Sequence, residues 1–237
     1  MKTMSLSSRE TPSTIVYQGR KTRRNGSEQR RRLILEASLR LVIREGVRGV
    51  RHRAVAKEAD VPLSATTYYF KDINDLIADT FTYFVDVGAE SMRRFWNGAE
   101  EVLFAQLNNE PNSGENLRVI QMRLVDLGVQ YLMQQIEQHR DYLLAEQAFQ
   151  FESLRDGRLS QLARLHQENM LVDLTRFFKA IKTSDPETDA YLTLAVILRL
   201  EYDALLGYPE TITQEQIKHK LTRHLQLILQ LPDKTES

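Results

Sequence analysis

The sequence predicts an all-α protein with a small N-terminal three-helix domain built around a helix-turn-helix and a larger C-terminal helical domain. Three observations lead there. Leu, Ala, Glu, Gln and Arg dominate the composition, and all of them favour helix. Only 10 Gly and 6 Pro are scattered through 237 residues, and no long run alternates apolar with polar as a half-buried strand would. Apolar residues instead recur every three or four positions. With 42% hydrophobic residues the chain is long enough for one or two domains with a sizeable core.

The element that organises the rest is Arg51 to Leu76, RHRAVAKEADVPLSATTYYFKDINDL. A first short helix, about 52–59, carries Val55, Ala56 and Ala59 on one side, small enough for a second helix to cross closely. Asp60 and Val61 turn the chain. Pro62 suits a first helical turn, where no N–H is required, and 63–69 form the second helix, ended by Phe70. Asp72 then caps a further helix, with Asn74 and Asp75 in its positive first turn. Helices this short do not stand alone in water, so the motif must be docked on a support. The preceding helix, about 28–45, provides one, with Ser27 as N-cap, Gly46 past its end and Leu33, Ile34, Ala37, Leu41 and Val42 as its buried stripe. Arg30, Arg31 and Arg32 point elsewhere.

Charge gives the motif a purpose. The formal net charge is zero, yet through Lys71 sixteen Lys and Arg face six Asp and Glu, and the remainder carries sixteen bases against twenty-six acids. The first part is +10 and the rest −10. A basic end on an acidic body is the footprint of a protein that grips a polyanion at one end only. Residues 1–26 read as a flexible basic arm, and Arg20, Lys21, Arg23 and Arg24 are candidates for a minor groove beside the helix-turn-helix. The domains expected are the arm 1–26, a helix-turn-helix domain 27–76, and an effector-binding and dimerisation domain 77–237.

Beyond the motif, helices are expected at about 73–95, 99–107, 115–138, 140–155, 158–182, 187–206 and 214–230. Breaks fall at Asn108–Gly114, Gly157, Thr183–Pro186 and Gly207–Pro209, and Thr213 caps the last helix. The 187–206 helix is apolar nearly all round, so one side should meet its own domain and another a partner subunit. Leu194, Ile197, Leu198 and Glu201 are assigned to that interface. An effector pocket is expected among Phe84, Met92, Met122, Val125, Leu143, Glu146, Phe149, Met170, Leu174 and Phe178, since adaptable Met and aromatic side chains suit a site that opens and closes.

Catalysis finds no support. The chain has no cysteine, which excludes disulfides and thiolate chemistry. Glu-x-x-His, His-Glu-x-x-His, a Gly-x-Ser-x-Gly elbow and Gly-rich phosphate loops are all absent. His219 and His224 are wrongly spaced for a metal pair, and His139 and His166 read as solvated or hydrogen-bonded residues. No metal and no cofactor are expected. Met1 to Ile15 lacks the apolar segment of a secretory signal, and the longest apolar run, Leu192 to Leu198, is too short to cross a bilayer. A cytoplasmic protein without membrane attachment is expected. The alternative is a helical enzyme or lipid carrier whose basic N-terminus reads nothing.

Residues 28–80, through LILEASLRLVIREG and AVAKEADVPLSATTYYFKDINDLI, resemble the N-terminal domain of TetR-family transcriptional repressors. The later helices resemble that family only in number and order. The resemblance implies an all-α homodimer of nine or more helices per chain. It reads a palindromic double-stranded DNA operator through its third helix and is released or modulated by an apolar or amphiphilic small molecule. It places base or phosphate contacts at Leu63, Ser64, Thr67 and Tyr68, with Tyr69 nearby, and a phosphate contact at Arg53. Ile73 departs from the pattern, because many members carry Lys there; Lys71 or the basic arm is the substitute. The run Ser64 to Thr67 also departs, so the operator sequence does not carry over.

Overall fold

The computed structural model describes residues 15–20, 25–107 and 114–231. Nine α-helices follow in order among them: α1 Asn25–Glu45, α2 His52–Glu58, α3 Leu63–Tyr69, α4 Ile73–Leu107, α5 Gly114–Gln138, α6 Arg140–Ser153, α7 Gly157–Ala180, α8 Pro186–Gly207 and α9 Gln214–Ile228. A 3-10 turn, Val47–Gly49, joins α1 to α2, and no strand occurs among the described residues. Spatial proximity groups the chain into two compact units. One holds the described residues of Met1–Tyr83 together with Phe149–Asp173; the other holds Phe84–Ala148 and Leu174–Ser237, as far as described. The first unit therefore recruits a segment from later in the chain, which no single boundary at 76 expresses.

In the first unit α1 buries Ile34, Leu35, Ala37, Leu41 and Val42. These residues, with Val47, Val50, Val55, Phe70 and Leu76, form a core that excludes water from the short helices α2 and α3. The stripe is rotated from expectation. Leu33 is 46% exposed, Leu35 takes its place inside, and Arg31 is buried. Polar groups also meet within this core: Thr80 Oγ1 lies 2.8 Å from Ser38 Oγ and 2.7 Å from the Leu76 carbonyl. Thr80 has one proton, which goes to the carbonyl, so Ser38 donates the second bond.

α1 begins at Asn25, earlier than expected, so Ser27 sits inside its first turn and is no N-cap. Its hydroxyl is 2.9 Å from the Tyr69 hydroxyl instead. At α4 the expected N-cap is present, with Asp72 Oδ1 accepting from the Asp75 N–H at 2.9 Å. α4 then continues without a break to Leu107, where two helices were expected. The expected break at Asn108–Gly114 lies outside the described residues except for Gly114, which opens α5.

The second unit is held by long helices with matched ends. α5 and α9 run antiparallel: the Gln121 amide donates to the Thr222 carbonyl at 2.9 Å, and Lys218 meets Asp126 at 3.0 Å. Ile217, Leu221 and Leu225 are the buried stripe of α9. Thr213 and Gln216 form a reciprocal capping box that satisfies two backbone donors at its start. Asp185 caps α8 ahead of Pro186, and Arg140 donates to the Leu205 carbonyl at 2.9 Å near the end of that helix. No helix among the described residues is long and apolar enough to cross a membrane.

Candidate nucleic-acid interface and internal cavity

α3 is two turns of helix with two unlike faces. Thr66 and Tyr69 face inward and are buried, while Leu63, Ser64, Thr67 and Tyr68 are exposed. The inward face is fastened at several points. His52 Nδ1 is 3.2 Å from Thr66 Oγ1, and that hydroxyl donates to the Leu63 carbonyl at 2.9 Å. The turn before α3 is set by Asp60, whose φ of 51° is the left-handed conformation that short polar side chains tolerate, and by the Val61 N–H donating to the Ala56 carbonyl at 3.0 Å. α2 is tied to α1 through Glu58, which accepts from Arg40 Nε at 2.9 Å and Arg44 Nη2 at 3.2 Å. The Arg40 guanidinium first, then Arg44, holds the Glu58 carboxyl below its usual range. A rigid support thus presents four side chains outward.

The expected contact residues divide accordingly. Leu63, Ser64, Thr67 and Tyr68 share one exposed surface, and Arg53 and Lys71 are exposed as well. Tyr69 is a correction. It is 5% exposed, its hydroxyl is bonded to Ser27, and its ring packs edge-on to Tyr68 at 5.0 Å, so it supports α3 from within. Arg20 is also placed differently from expectation: residues 15–20 are docked on this unit, and Arg20 is fixed against α3. Lys21, Arg23 and Arg24 lie outside the described residues.

The second unit contains a partly open cavity of about 70 Å³. Its wall is mainly apolar, and Phe95 and Trp96 of α4, Tyr131 of α5, and Phe177 and Phe178 of α7 contribute aromatic rings to it. The rings interlock, Phe95 to Tyr131 at 5.3 Å and Trp96 to Phe177 at 6.2 Å. One polar pair enters the wall, Thr193 of α8 and His224 of α9, with Oγ1 and Nε2 2.8 Å apart. Thr193 gives its proton to the Asp189 carbonyl at 2.7 Å, so His224 must donate from Nε2, which fixes its neutral tautomer. Burial pulls the His224 pKa down, against a smaller opposite pull from Asp189.

Of the pocket expected from sequence, Leu174 and Phe178 line this cavity. Met122 is 58% exposed, and Phe149 and Met170 belong to the other unit. Phe84 stacks on Tyr142 at 4.3 Å, Val125 and Leu143 are packed in the core, and Met92 is half-buried; none of these lines the cavity. Glu146 is buried outside the lining. The aromatic cluster includes the sole Trp of the chain, yet sequence reasoning misses it by ending a helix at Phe95, where α4 continues.

Of the residues expected at an interface on α8, Leu194 and Leu198 are half-buried, and two others are placed differently. Ile197 lines the cavity and Glu201, one turn on, is buried, so both face inward. Burial first, then the neighbouring charge of Glu146, pushes the Glu201 carboxyl well above its ordinary range and favours the neutral acid. The outward apolar residues of α8 are Tyr191, Leu192, Tyr202 and Leu206. No cluster of three or more His, Asp or Glu suited to a metal occurs among the described residues.

Comparison with solved structures identifies the architecture. A transcriptional regulator from Rhodococcus sp. Rha1 superposes with a TM-score of 0.63 at 22% identity, over 87% of this chain and 99% of its own. A TetR transcription regulator from Haloarcula marismortui ATCC 43049 gives 0.61 at 16% identity, over 85% and 98%. The chain has the fold of the TetR regulators. The nine helices found among the described residues agree with the nine or more that the sequence resemblance implied. Among curated proteins, the HTH-type transcriptional regulator PksA of Bacillus subtilis (strain 168) is 23% identical over 205 residues, which is 85% of this chain and 90% of PksA. No family model matches the sequence.

Proposed function

We propose that the protein is a TetR-type transcriptional repressor that binds a palindromic operator as a homodimer and is released by an apolar or amphiphilic effector. The observation that carries this reading is the division of α3. Ser64, Thr67 and Tyr68 stand outward with hydroxyls able to meet base edges or phosphates, and Leu63 and the Thr67 methyl can meet thymine methyls. Arg53 and Lys71 supply positive charge on the same unit and lie within residues 1–71, which carry the +10.

The remaining steps rest on the second unit. The apolar outer face of α8 suits a partner copy, and a twofold pair would set two copies of α3 in successive major grooves, about 34–36 Å apart. The cavity suits an aromatic or aliphatic body with one polar group addressed to Thr193 or His224. At about 70 Å³ it holds only a few heavy atoms, so a larger effector must displace the ring cluster that lines it. α4 carries Phe95 and Trp96 in the same unbroken helix as Asp72-capped Ile73, a covalent route by which that displacement reaches the DNA-binding unit. A ligand acts this way only by its preference for one state, and roughly 5.5 kcal/mol moves a 1:99 population to 99:1.

Selection from a pool of random duplexes tests the proposal. Inverted repeats should be enriched, and Thr67→Ala should weaken binding to the winning sequence by roughly 1–3 kcal/mol while leaving random duplex unaffected. Failure to enrich any sequence, at salt low enough for binding, would refute operator reading.

A further inference from the structure

The docked segment before α1 is built into the DNA-facing unit in a way that composition did not suggest. Asp79 of α4 is fully buried, yet it carries a carboxylate. Three donors converge on it: the Gln18 N–H at 2.5 Å, the Gly19 N–H at 2.9 Å and Arg31 Nη2 at 2.7 Å. Two of the three are main-chain groups 61 and 60 positions away, so this carboxylate is addressed to a backbone. The fit demands glycine. A Cβ on Gly19 would lie 2.8 Å from Asp79 Oδ2 and 3.0 Å from the Phe70 ring. Arg31 completes the seat, with its guanidinium 4.3 Å from the Tyr17 ring centroid.

What this seat presents is Arg20. Its N–H donates to the Tyr69 carbonyl at the end of α3, at 3.0 Å, and its guanidinium lies over the Tyr68 ring at 4.6 Å. Both side chains are exposed, Tyr68 by 53%. No carboxylate among the described residues pairs with Arg20. Stacking uses the face of a guanidinium and leaves its N–H edge for a bidentate acceptor, the geometry of a phosphate.

We propose that residues 16–20 form a strap, locked where the Asp79 carboxylate accepts from the main-chain N–H groups of Gln18 and Gly19, that holds Arg20 stacked on Tyr68 as a ready-made phosphate contact on duplex DNA beside α3. Asp79 and Gly19 are then positioning residues for DNA binding, and Arg20 is the contact. The inference rests on the DNA-binding reading above and adds that the N-terminal segment is part of the interface by construction. The order already present in the strap means that little conformational entropy is lost when DNA binds.

The full-length chain is titrated against a fluorescently labelled duplex of random sequence, about 30 base pairs long, over a range of salt near and above ~50 mM. Arg20→Ala should weaken binding roughly tenfold at the low-salt end and lower the slope of log K against log salt by about 1 per protomer. Gly19→Ala, which keeps the arginine but breaks the seat, should reproduce both changes, and the double variant should add nothing to either single one. Thermal melts accompany each variant; Arg20→Ala disturbs no buried group and keeps the test decisive should Gly19→Ala fold poorly. If Arg20→Ala alone shifts the slope while a folded Gly19→Ala behaves as wild type, the strap positions nothing and the proposal is overturned. Wild-type binding by both variants overturns it as well and leaves the repressor reading intact. A wild-type chain that binds no duplex removes the DNA-binding reading, and this inference with it.

Discussion

Tyr68 and Tyr69 are neighbours in the chain and opposites in environment, because a helix turns each successive side chain by about 100°. Tyr69 spends its hydroxyl on Ser27 inside the unit, so Tyr69→Phe should cost about 1 kcal/mol in a urea titration and leave affinity for DNA unchanged. The sequence displays two identical residues side by side, and only the orientation of α3 on α1 separates them. His166 shows the same limit. Expected as a solvated or hydrogen-bonded residue, it packs its ring edge-on to Phe81 at 6.1 Å, and burial lowers its pKa to about 4. The sign follows directly. The folded state disfavours the protonated ring, so the unfolded chain takes up the proton first; stability is complete above 6.5, the ordinary value, and falls as pH drops from there toward 4. The loss is roughly 3 kcal/mol for this group. His166→Gln should flatten the stability profile between pH 6.5 and 4, and an unchanged slope would refute this source of acid sensitivity.

Among the helices, α4 is the one whose length the sequence conceals. Gly98 sits at the gap expected between two helices, but a Cβ there would lie 3.1 Å from Leu127 Cδ2, so its role is to let α5 approach. Gly88 makes the same point more severely, since a Cβ would lie 2.0 Å from the hydroxyl oxygen of Tyr142, whose ring is stacked on Phe84. Gly88→Ala therefore sets two effects against each other. Alanine favours helix by about 0.8–1 kcal/mol, while forcing Tyr142 aside costs about 1–3. Net destabilisation is expected in the wild-type background, and stabilisation in Tyr142→Ala, where the obstacle is gone; a double-mutant cycle in urea reads the coupling directly. What the sequence did show was the existence of each helix, from apolar spacing and caps such as Asp72 and Thr213. Which side each helix buries was less legible. On α1, Leu33 and Leu35 are equally apolar, and only tertiary packing separates them, with Leu35 buried and Leu33 exposed.

For the whole molecule, the proposed reading of a palindrome turns on the face through which two copies would pair. An apolar α8 was legible in the sequence, but the division of its surface was not, because a helix that is apolar on every side gives no sign of which residues face inward. Thr193, Ile197 and Glu201, spaced four apart, turn to the interior, while Tyr191, Leu192, Tyr202 and Leu206 remain outside. Exposed residues of this size, gathered on one helix, are the expected core of a subunit interface. Leu206→Arg and Tyr202→Asp place charge there, and each should shift the molecular mass measured by sedimentation from dimer toward monomer. The consequence for DNA is the sharper test. A palindrome is read by two coupled copies, so a monomeric variant with an intact α3 should retain salt-sensitive binding to random duplex while losing most of its preference for the inverted repeat. If Leu206→Arg remained dimeric and kept that preference, α8 would not be the face through which the chains pair, and the interface would have to be sought on another helix.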